Sequence, residues 1–284
     1  MANESTLTTL TELKVSSTLK GLAYLYNEDV WGPLVKNVVI PMGSTTHILP
    51  YIATPTASSN AGEATGATAQ ALTSSGTKSI TVIEHVKQVD LTNHSIYQIP
   101  QNLQDEASVF LARAITKGKN SQIATQAALF TAQTGSTGVA MATSAFEIAL
   151  QDLAAAGAPR PYNFVTGAKA IYGAKGITTK LYGLSSNEYA LSSGTVSDDF
   201  SKTGLVSKTY GFNVYLDPGI TDDATDIKGY FFSRDALCWG EQRAFAIDID
   251  YIVSTRVHQY VATLWGGASI YIDSYGVEGT FGIA

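Results

Sequence analysis

The stretch ATPTASSNAGEATGATAQALTSSGT, residues 53–77, is the part of the sequence that best indicates the fold. Twenty of its 25 residues are Ala, Ser, Thr or Gly. A segment this poor in large apolar groups cannot build a core of its own. We therefore expect a flexible or extended loop that becomes ordered only against a partner.

Strand-like sequence lies on both sides of this loop. Val35 to Ile40 is a β-branched run that leads through the turn residues Gly43-Ser44 into Ile48 to Ile52. After the loop, the strand pattern resumes at Ile80 and continues to Leu91. Runs of this kind, bounded by turn residues, favour strands. The sequence therefore predicts a long two-stranded arm that carries the loop.

A long helix is predicted next, from Pro100 to Thr131. Its apolar residues follow helical spacing at Leu103, Ala107, Phe110, Leu111, Ala114 and Ile115. We expect Phe110, Leu111 and Ile115 to hold the helix against a sheet. Gly118 should weaken the helix locally, and the element reaches ~45 Å if it is continuous.

A second helix is predicted after a linker at residues 133–138. Ser144 and Glu147 have the spacing of a capping box, and Gly157 is a typical C-terminal residue. The expected core face is Phe146, Ala149, Leu150 and Leu153.

The rest of the chain mixes short strands with turns, which indicates an α+β fold. The strands are expected at Asn163–Thr166, Leu205–Lys208, Phe212–Leu216, Gly229–Phe232 and Ala244–Ile252. A last hairpin should pair Thr255–Leu264 with Ile270–Ile272 across Gly266-Gly267. At the other end of the chain, the leucine spacing between Leu7 and Tyr26 favours a helical arm.

The charge composition argues against nucleic-acid recognition as the main function. The chain has 18 basic and 24 acidic residues, a net charge of −6, whereas phosphate recognition needs a basic surface. Only 15% of the residues are charged, against about 25% in an ordinary soluble protein. Either much of the surface lies in subunit interfaces, or it is rich in Ser, Thr and Ala.

The cysteine count and the N-terminal sequence favour folding in a reducing compartment. Cys238 is the single cysteine and cannot form an internal disulfide. Met1 to Ser5 show no basic segment before an apolar core, and no window approaches the ~18 apolar residues of a membrane helix. We therefore expect neither secretion nor membrane insertion.

Sequence motifs for catalysis, cofactors or metals are not found. The histidines, His47, His85, His94 and His258, are scattered, and Gly118-Lys119-Asn120 lacks the Ser or Thr of a phosphate-binding loop. Asp248 and Asp250 could act as an acid/base pair or bind a cation, but a polar strand face is the favoured interpretation. Asp222, Asp223 and Asp226 fit a solvated turn, and Cys238 between Leu237 and Trp239 fits a buried small apolar residue.

The order of these parts resembles the major capsid protein of tailed bacteriophages, whose fold is shared with encapsulins and with the floor of herpesvirus capsids. The resemblance covers nearly the whole chain. The matching segments are Gly43–Pro50 before the extension loop, Pro100–Thr131 as the spine helix, Phe146–Gly157 with Pro161–Val165 at the start of the axial domain, Gly211–Val214, and Phe231–Leu237 continuing to Gly282.

The resemblance implies a domain organisation. It has an N-terminal arm at 1–36, the extension loop with its flanking strands at 37–92, a peripheral domain with the spine helix at 93–138, an axial domain at 139–232, and a return to peripheral strands at 233–284.

The resemblance also implies a function and partners. Hexamers and pentamers of the chain would close into an icosahedral shell around double-stranded phage DNA, without catalytic residues, cofactors or metals. The implied partners are other copies of the chain, a portal protein, decoration proteins and weakly held DNA. The chain would act in the virion capsid after assembly in the host cytoplasm.

Two departures from the family pattern matter. Too few residues precede the first strand for a scaffolding segment, so a separate scaffolding protein is expected unless the chain is a processed product. Lys78 lies at the extension loop, but no Asn follows Asn213. We therefore expect shells without the Lys-Asn isopeptide bonds of some relatives.

Two other functions stay open from the sequence. One is an encapsulin-like nanocompartment, the same shell with a protein cargo. The other is a hydrolase or carbohydrate-binding protein that uses a Tyr-rich surface and the Asp248/Asp250 pair.

Overall fold

A computed structural model describes residues 29–52, 74–98, 103–167, 169–170, 205–220, 223 and 225–282. The predicted helix at residues 7–26 and most of the predicted loop lie outside these residues. The strands are β1 Lys36–Val39, β2 Thr46–Ile52, β3 Ser74–Thr81, β4 Ile83–Thr92, β5 Ala132–Ser136, β6 Tyr162–Thr166, β7 Leu205–Thr209, β8 Phe212–Leu216, β9 Asp226–Ser233, β10 Leu237–Ile252, β11 Val257–Ile270 and β12 Gly276–Gly282. The helices are α1 Asn93–Gln98, α2 Leu103–Ala127 and α3 Thr143–Ala155, with a 3-10 turn at Asp273–Tyr275.

The described strands form three sheets, and the α+β class is confirmed. A four-stranded sheet has the order β1-β10-β11-β4, and a six-stranded sheet has the order β5-β12-β9-β6-β8-β7. The third sheet is the antiparallel pair β2-β3. The predicted two-stranded arm is therefore present, and β3 begins at Ser74, inside the segment that was predicted to be a loop.

The spine helix α2 packs along the four-stranded sheet. Its 25 residues correspond to a length of ~37 Å. Leu111 and Ile115 are buried in the core as expected, but the prediction for Phe110 is wrong, because its side chain is 54% exposed. At ~100° per residue, the buried residues Ala107, Leu111, Ala112 and Ile115 lie on one side of the helix, and Phe110 lies on the opposite side.

Gly118 does not interrupt the spine helix. A Cβ atom at this position would lie 3.1 Å from Nδ1 of His85 on β4. The glycine therefore allows a close approach between the helix and the sheet, where the sequence alone indicated a weak point.

The start of α3 differs from the prediction and its end agrees with it. The N-cap residue is Ala142, which makes no side-chain capping hydrogen bond, and Ser144 lies inside the helix. The capping-box prediction is therefore wrong. At the C-terminus, Gly157 has a φ of +72°, and the Ala158 amide donates to the Leu153 carbonyl at 3.0 Å. This is the left-handed ending expected for a glycine.

Two segments that the sequence predicts as a turn and a linker belong to strands in the structure. β11 runs without a break through Gly266 and Gly267, so the hairpin expected there does not form. A Cβ at Gly267 would lie 2.0 Å from the Thr81 carbonyl oxygen, so this glycine is needed for contact with β3. Residues 133–138, expected to be a linker, mostly belong to β5, which pairs in parallel with β12.

Two large cores fill the described part of the chain. One lies between α2 and the four-stranded sheet and includes Leu111, Trp239 and Tyr260. The other lies between α3 and the six-stranded sheet. Its centre is a set of aromatic rings in mutual contact at Phe146, Phe164, Phe212, Phe231 and Phe281. The expected core face of α3 is confirmed, since Phe146, Ala149 and Leu153 are buried and Leu150 is partly buried.

Candidate assembly surfaces

The extension hairpin, β2 with β3, adjoins the four-stranded sheet where Thr81 of β3 lies against Gly267 of β11. Its base is fixed by a small core of Ile40, Ile80 and Cys238. The Val82 amide donates to the Thr45 carbonyl at 2.9 Å. The Gln242 side chain donates to the Ser44 carbonyl at 2.8 Å. The root of the hairpin is therefore held by both packing and hydrogen bonds.

Four apolar side chains are exposed around this root. Val39 on β1 and Ile83 on β4 lie on opposite edge strands of the four-stranded sheet, in one row of paired residues. In this row Val39 pairs with Glu241, Glu241 with Gly266, and Gly266 with Ile83. Val39 is 86% exposed and Met42 is 72% exposed. We use the name hairpin-base patch for the four exposed apolar residues that flank or begin the hairpin in sequence: Val39, Met42, Ile48 and Ile83.

Residues 29–31 are tied to two layers of the structure. The Asp29 carboxylate accepts a hydrogen bond from the Gly32 amide at 2.9 Å and forms a buried ion pair with Lys119 of the spine helix. Trp31 Nε1 donates to Asp217 Oδ2 at 2.6 Å. Asp217 follows β8 of the six-stranded sheet, so residues 29–31 connect the spine helix to that sheet.

Aromatic packing strengthens this connection. Trp31 stacks on Phe232 of β9 with ring centroids 5.5 Å apart and an interplanar angle of 7°. Tyr230 contacts Trp31 with centroids 5.9 Å apart. Burial, together with the negative charges of Glu278 and Asp217, raises the pKa of Tyr230 to about 12. Residues 29–33 carry no periodic pattern that predicts these contacts, and the one sequence signal is the large aromatic residue Trp31 beside Gly32-Pro33.

The Asp248/Asp250 pair lies on one face of β10, as its alternation with Ile247 and Ile249 predicts. Asp248 Oδ2 lies 3.9 Å from the Arg243 guanidinium, and both side chains are about half exposed. Asp250 accepts from the Tyr251 amide at 2.8 Å. Asp248 therefore forms a half-exposed ion pair, and Asp250 forms a local hydrogen bond with the backbone. Catalytic carboxylates are usually found in clefts, whereas both of these lie on a sheet face.

The second acidic cluster forms a turn. Asp223 accepts hydrogen bonds from the amides of Asp226 and Thr225 at 2.8 and 3.2 Å. These backbone donors, the Asp226 amide first, hold the pKa of Asp223 below its usual value. Asp226 itself accepts from the Gly138 amide at 2.6 Å. The carboxylates thus cap backbone groups, while Asp222 lies outside the described residues.

Cys238 and the histidines occupy structural positions. Cys238 is fully buried, and burial raises the pKa of its thiol to about 11. His85 contacts Gln122 of the spine helix at 3.0 Å, and His258 packs on Tyr251 with ring centroids 4.7 Å apart. Desolvation lowers the pKa of His258. His47 lies on β2, and His94 lies on α1.

The described part of the chain contains no group of three or more His, Cys, Asp or Glu side chains placed to hold a metal ion. Within the same residues, no helix is long and apolar enough to cross a membrane.

Comparison with solved structures identifies the fold. No protein-family model matches the sequence, and no curated protein matches it significantly. A structure from Mycobacterium phage Che8 is similar with a TM-score of 0.61 and 15% identity, over 84% of this chain and 85% of that one. The capsid structure of the cyanophage P-SCSP1u gives a TM-score of 0.57 and 13% identity, over 87% and 86%.

A third similar structure is a virus-like particle from Pyrococcus furiosus. Its TM-score is 0.59 with 11% identity, over 94% of this chain and 98% of that one. These likenesses extend over most of both chains in every case. The chain therefore has the tailed-phage capsid fold that the order of its sequence elements resembles.

Proposed function

We propose that this chain is a major capsid protein that self-assembles as hexamers and pentamers into an icosahedral shell around double-stranded phage DNA. The observation that carries the proposal is the match to the cyanophage capsid over 87% of this chain and 86% of that one. A match of this extent spans most of both chains rather than one common motif.

Surface chemistry of the described residues supports assembly. The hairpin-base patch includes the strongly exposed Val39 and Met42, and exposed apolar side chains are typical of interaction sites when a partner covers them. The low share of charged residues in the whole chain, 15%, agrees with the depletion of charge in interface cores.

The proposed role is structural rather than enzymatic. The partners are further copies of the chain, a portal protein, a separate scaffolding protein, decoration proteins and packaged DNA. The net charge of −6 supports weak, non-specific contact with DNA, because few phosphates would be neutralised. The protein would assemble in the host cytoplasm and remain in the virion capsid.

A shell with a different cargo is the second candidate. The likeness to the virus-like particle from Pyrococcus furiosus, over 98% of that chain, favours it. This candidate is an encapsulin-like nanocompartment, in which the same subunit geometry would enclose protein instead of DNA. The Asp248/Asp250 pair gives no comparable support to a hydrolase, because both carboxylates lie on an open sheet face.

The experiment that tests the proposal is co-expression of the chain with the products of the genes encoded beside it. Particles are purified, treated with nuclease and then opened. Closed shells that protect double-stranded DNA are expected. Shells that contain a protein cargo and no protected DNA would favour the nanocompartment, and soluble monomers under all conditions would contradict both.

A further inference from the structure

A groove lies beside the edge strand β1, on the face of the four-stranded sheet that packs against the spine helix. Asn37 pairs with Trp239, and Val39 pairs with Glu241. All four residues line the groove. Side chains two residues apart on a strand point to the same face. Because Trp239 belongs to the core beside the spine helix, Val39 and Glu241 point to the spine-helix side as well.

The groove combines apolar walls with one unpaired carboxylate. It has a volume of about 420 Å³, and Phe245 and Leu264 contribute to its walls. Its charged lining residues are Asp29, Lys119 and Glu241, which give a net charge of −1. Asp29 and Lys119 pair with each other, whereas the half-buried Glu241 side chain has no partner among the described residues. Partly buried charges are normally paired, so the groove favours a ligand that carries a cation.

The turn between β10 and β11, residues 253–256, has the complementary chemistry. It follows the last pair of this ladder, Ile252 with Val257. Val253 is 74% exposed, and the exposed Arg256 side chain has no acidic partner in the described part of the chain. Arg256 has a φ of +56°, which residues other than glycine rarely adopt. Such conformations are concentrated at functional sites.

A chain cannot fill its own groove with this turn. Glu241 lies near the start of β10, and the turn follows the end of the same strand. The stretch from Glu241 to Ile252 spans ~36 Å at ~3.3 Å per residue. The exposed cations Lys87 and Lys117 are poorer candidates, because they lie in the middle of β4 and of the spine helix. The groove and the turn can therefore meet only between two copies.

We propose that residues 253–256 of one copy enter the groove of the next copy, where Arg256 pairs with Glu241 and Val253 packs against the apolar wall. This inference rests on the proposed function, because it describes a contact between copies in a shell. Arginine anchors in pockets are typical of interface hot spots. The two surfaces differ, so the contact is heterologous, and such contacts close into rings when the rotation between copies permits.

Charge reversal tests the assigned ion pair. Glu241→Arg and Arg256→Glu should each lower the yield of sedimenting particles roughly fivefold, since like charges then face each other. The subunit melting temperatures should stay within ~2 °C of wild type. The double variant should restore most of the yield, because the opposite charges are again adjacent. Lys87→Glu, which reverses another exposed cation on the same sheet, is the control and should leave the yield nearly unchanged.

Two results of this experiment would overturn the proposal. One is wild-type particle yield from both single reversals. The other is a double variant that assembles no better than the single variants, which would show that Glu241 and Arg256 do not contact each other.

Disulfide trapping locates the contact without changing these charges. Ser254 lies in the turn and Ala244 lines the groove, and both residues are exposed. Copies with Ser254→Cys, mixed with copies that carry Ala244→Cys and oxidised during assembly, should form disulfide-linked dimers on a non-reducing gel. The wild-type chain, whose Cys238 is buried, is the control and should form none. Dimers from Ser254→Cys copies alone would show that the turns meet one another, which contradicts the proposal.

Wild-type particles separate this inference from the proposed function. A wild-type chain that forms no closed shell refutes the proposed function. Wild-type shells that form normally, together with single reversals that assemble as well and mixtures that give no disulfide-linked dimer, refute only the contact between the groove and the turn.

Discussion

Trp31 and Asp217, 186 residues apart in sequence, are joined by a hydrogen bond of 2.6 Å from the indole nitrogen to the carboxylate. Both side chains are buried. The bond links Trp31, which belongs to the core beside the spine helix, to the residue that follows β8 of the six-stranded sheet. Contacts of this kind fix the relative position of the spine helix and the six-stranded sheet.

Removing the indole donor should destabilise the subunit. Trp31→Phe keeps an aromatic ring for stacking on Phe232 but leaves the Asp217 carboxylate without one of its donors. Hydrogen bonds to charged groups contribute about 1.5–3 kcal/mol. We therefore expect the free energy of unfolding, measured in urea, to fall by this amount. Trp265→Phe is the matched control, because Trp265 Nε1 has no hydrogen-bond partner among the described residues. A Trp31→Phe effect no larger than the control's would refute this role.

The ion pair between Asp29 and Lys119 should be sensitive to loss of one partner. Lys119→Met leaves a buried carboxylate uncompensated, which typically costs about 3–5 kcal/mol. The double variant Asp29→Asn with Lys119→Met should recover much of that stability, since no lone charge remains. Arg243→Met, at the half-exposed Arg243–Asp248 pair, should cost less than ~1 kcal/mol. Similar losses of unfolding free energy for Lys119→Met and Arg243→Met would contradict a buried Asp29–Lys119 ion pair.

The exposed position of Phe110 makes a testable contrast with its neighbour. Leu111→Ala removes a fully buried side chain and should cost about 2–5 kcal/mol. Phe110→Ala should change the unfolding free energy by only ~0.5 kcal/mol. Chemical denaturation of both variants measures these two changes in the free energy of unfolding. A larger loss for Phe110→Ala would restore the sequence-based interpretation that this ring packs on the sheet.

The thiol of Cys238 should be inert in the folded protein. Burial favours the neutral thiol and raises its pKa to about 11, so at pH 8 the reactive thiolate is scarce and shielded. Iodoacetamide at pH 8 should leave native protein unmodified and label it fully in denaturant, as measured by intact mass. Rapid labelling of the native protein would indicate that the core around Cys238 opens readily.

The hairpin-base patch should affect assembly more than folding. Met42→Ser with Ile48→Ser removes two exposed apolar side chains, so the subunit's melting temperature should stay within ~2 °C of wild type. The yield of particles should fall severalfold, because the proposed interface loses apolar contact. Thr46→Ser, on the same strand as Ile48, is the control. Normal particle yield from the double variant, measured by sedimentation, would exclude the patch from the interface.

Periodicity was sufficient to predict the main elements from the sequence. The alternation at Ile247 and Ile249 and the helical spacing at Leu111 and Ile115 both report burial directly, and these residues pack as expected. The order of such elements also indicated the fold, which the solved structures confirm. The domain boundaries stay predictions.

The features that sequence reasoning missed depend on distant partners. Gly266 and Gly267 look like a turn, yet they lie in a strand because Trp239 and Thr81 approach too closely for a side chain. Trp31 gives no periodic signal, and its role depends on Asp217, far along the chain. Local pattern cannot report such contacts, since they are set by tertiary packing.

The most direct test of the central claim is a cryo-electron microscopy reconstruction of particles that contain this chain. We expect a closed icosahedral shell of hexamers and pentamers, with each subunit showing the spine helix along the four-stranded sheet and the hairpin-base patch covered by a neighbouring copy. An open or helical assembly, or a shell in which Val39 and Met42 face solvent, would contradict the account.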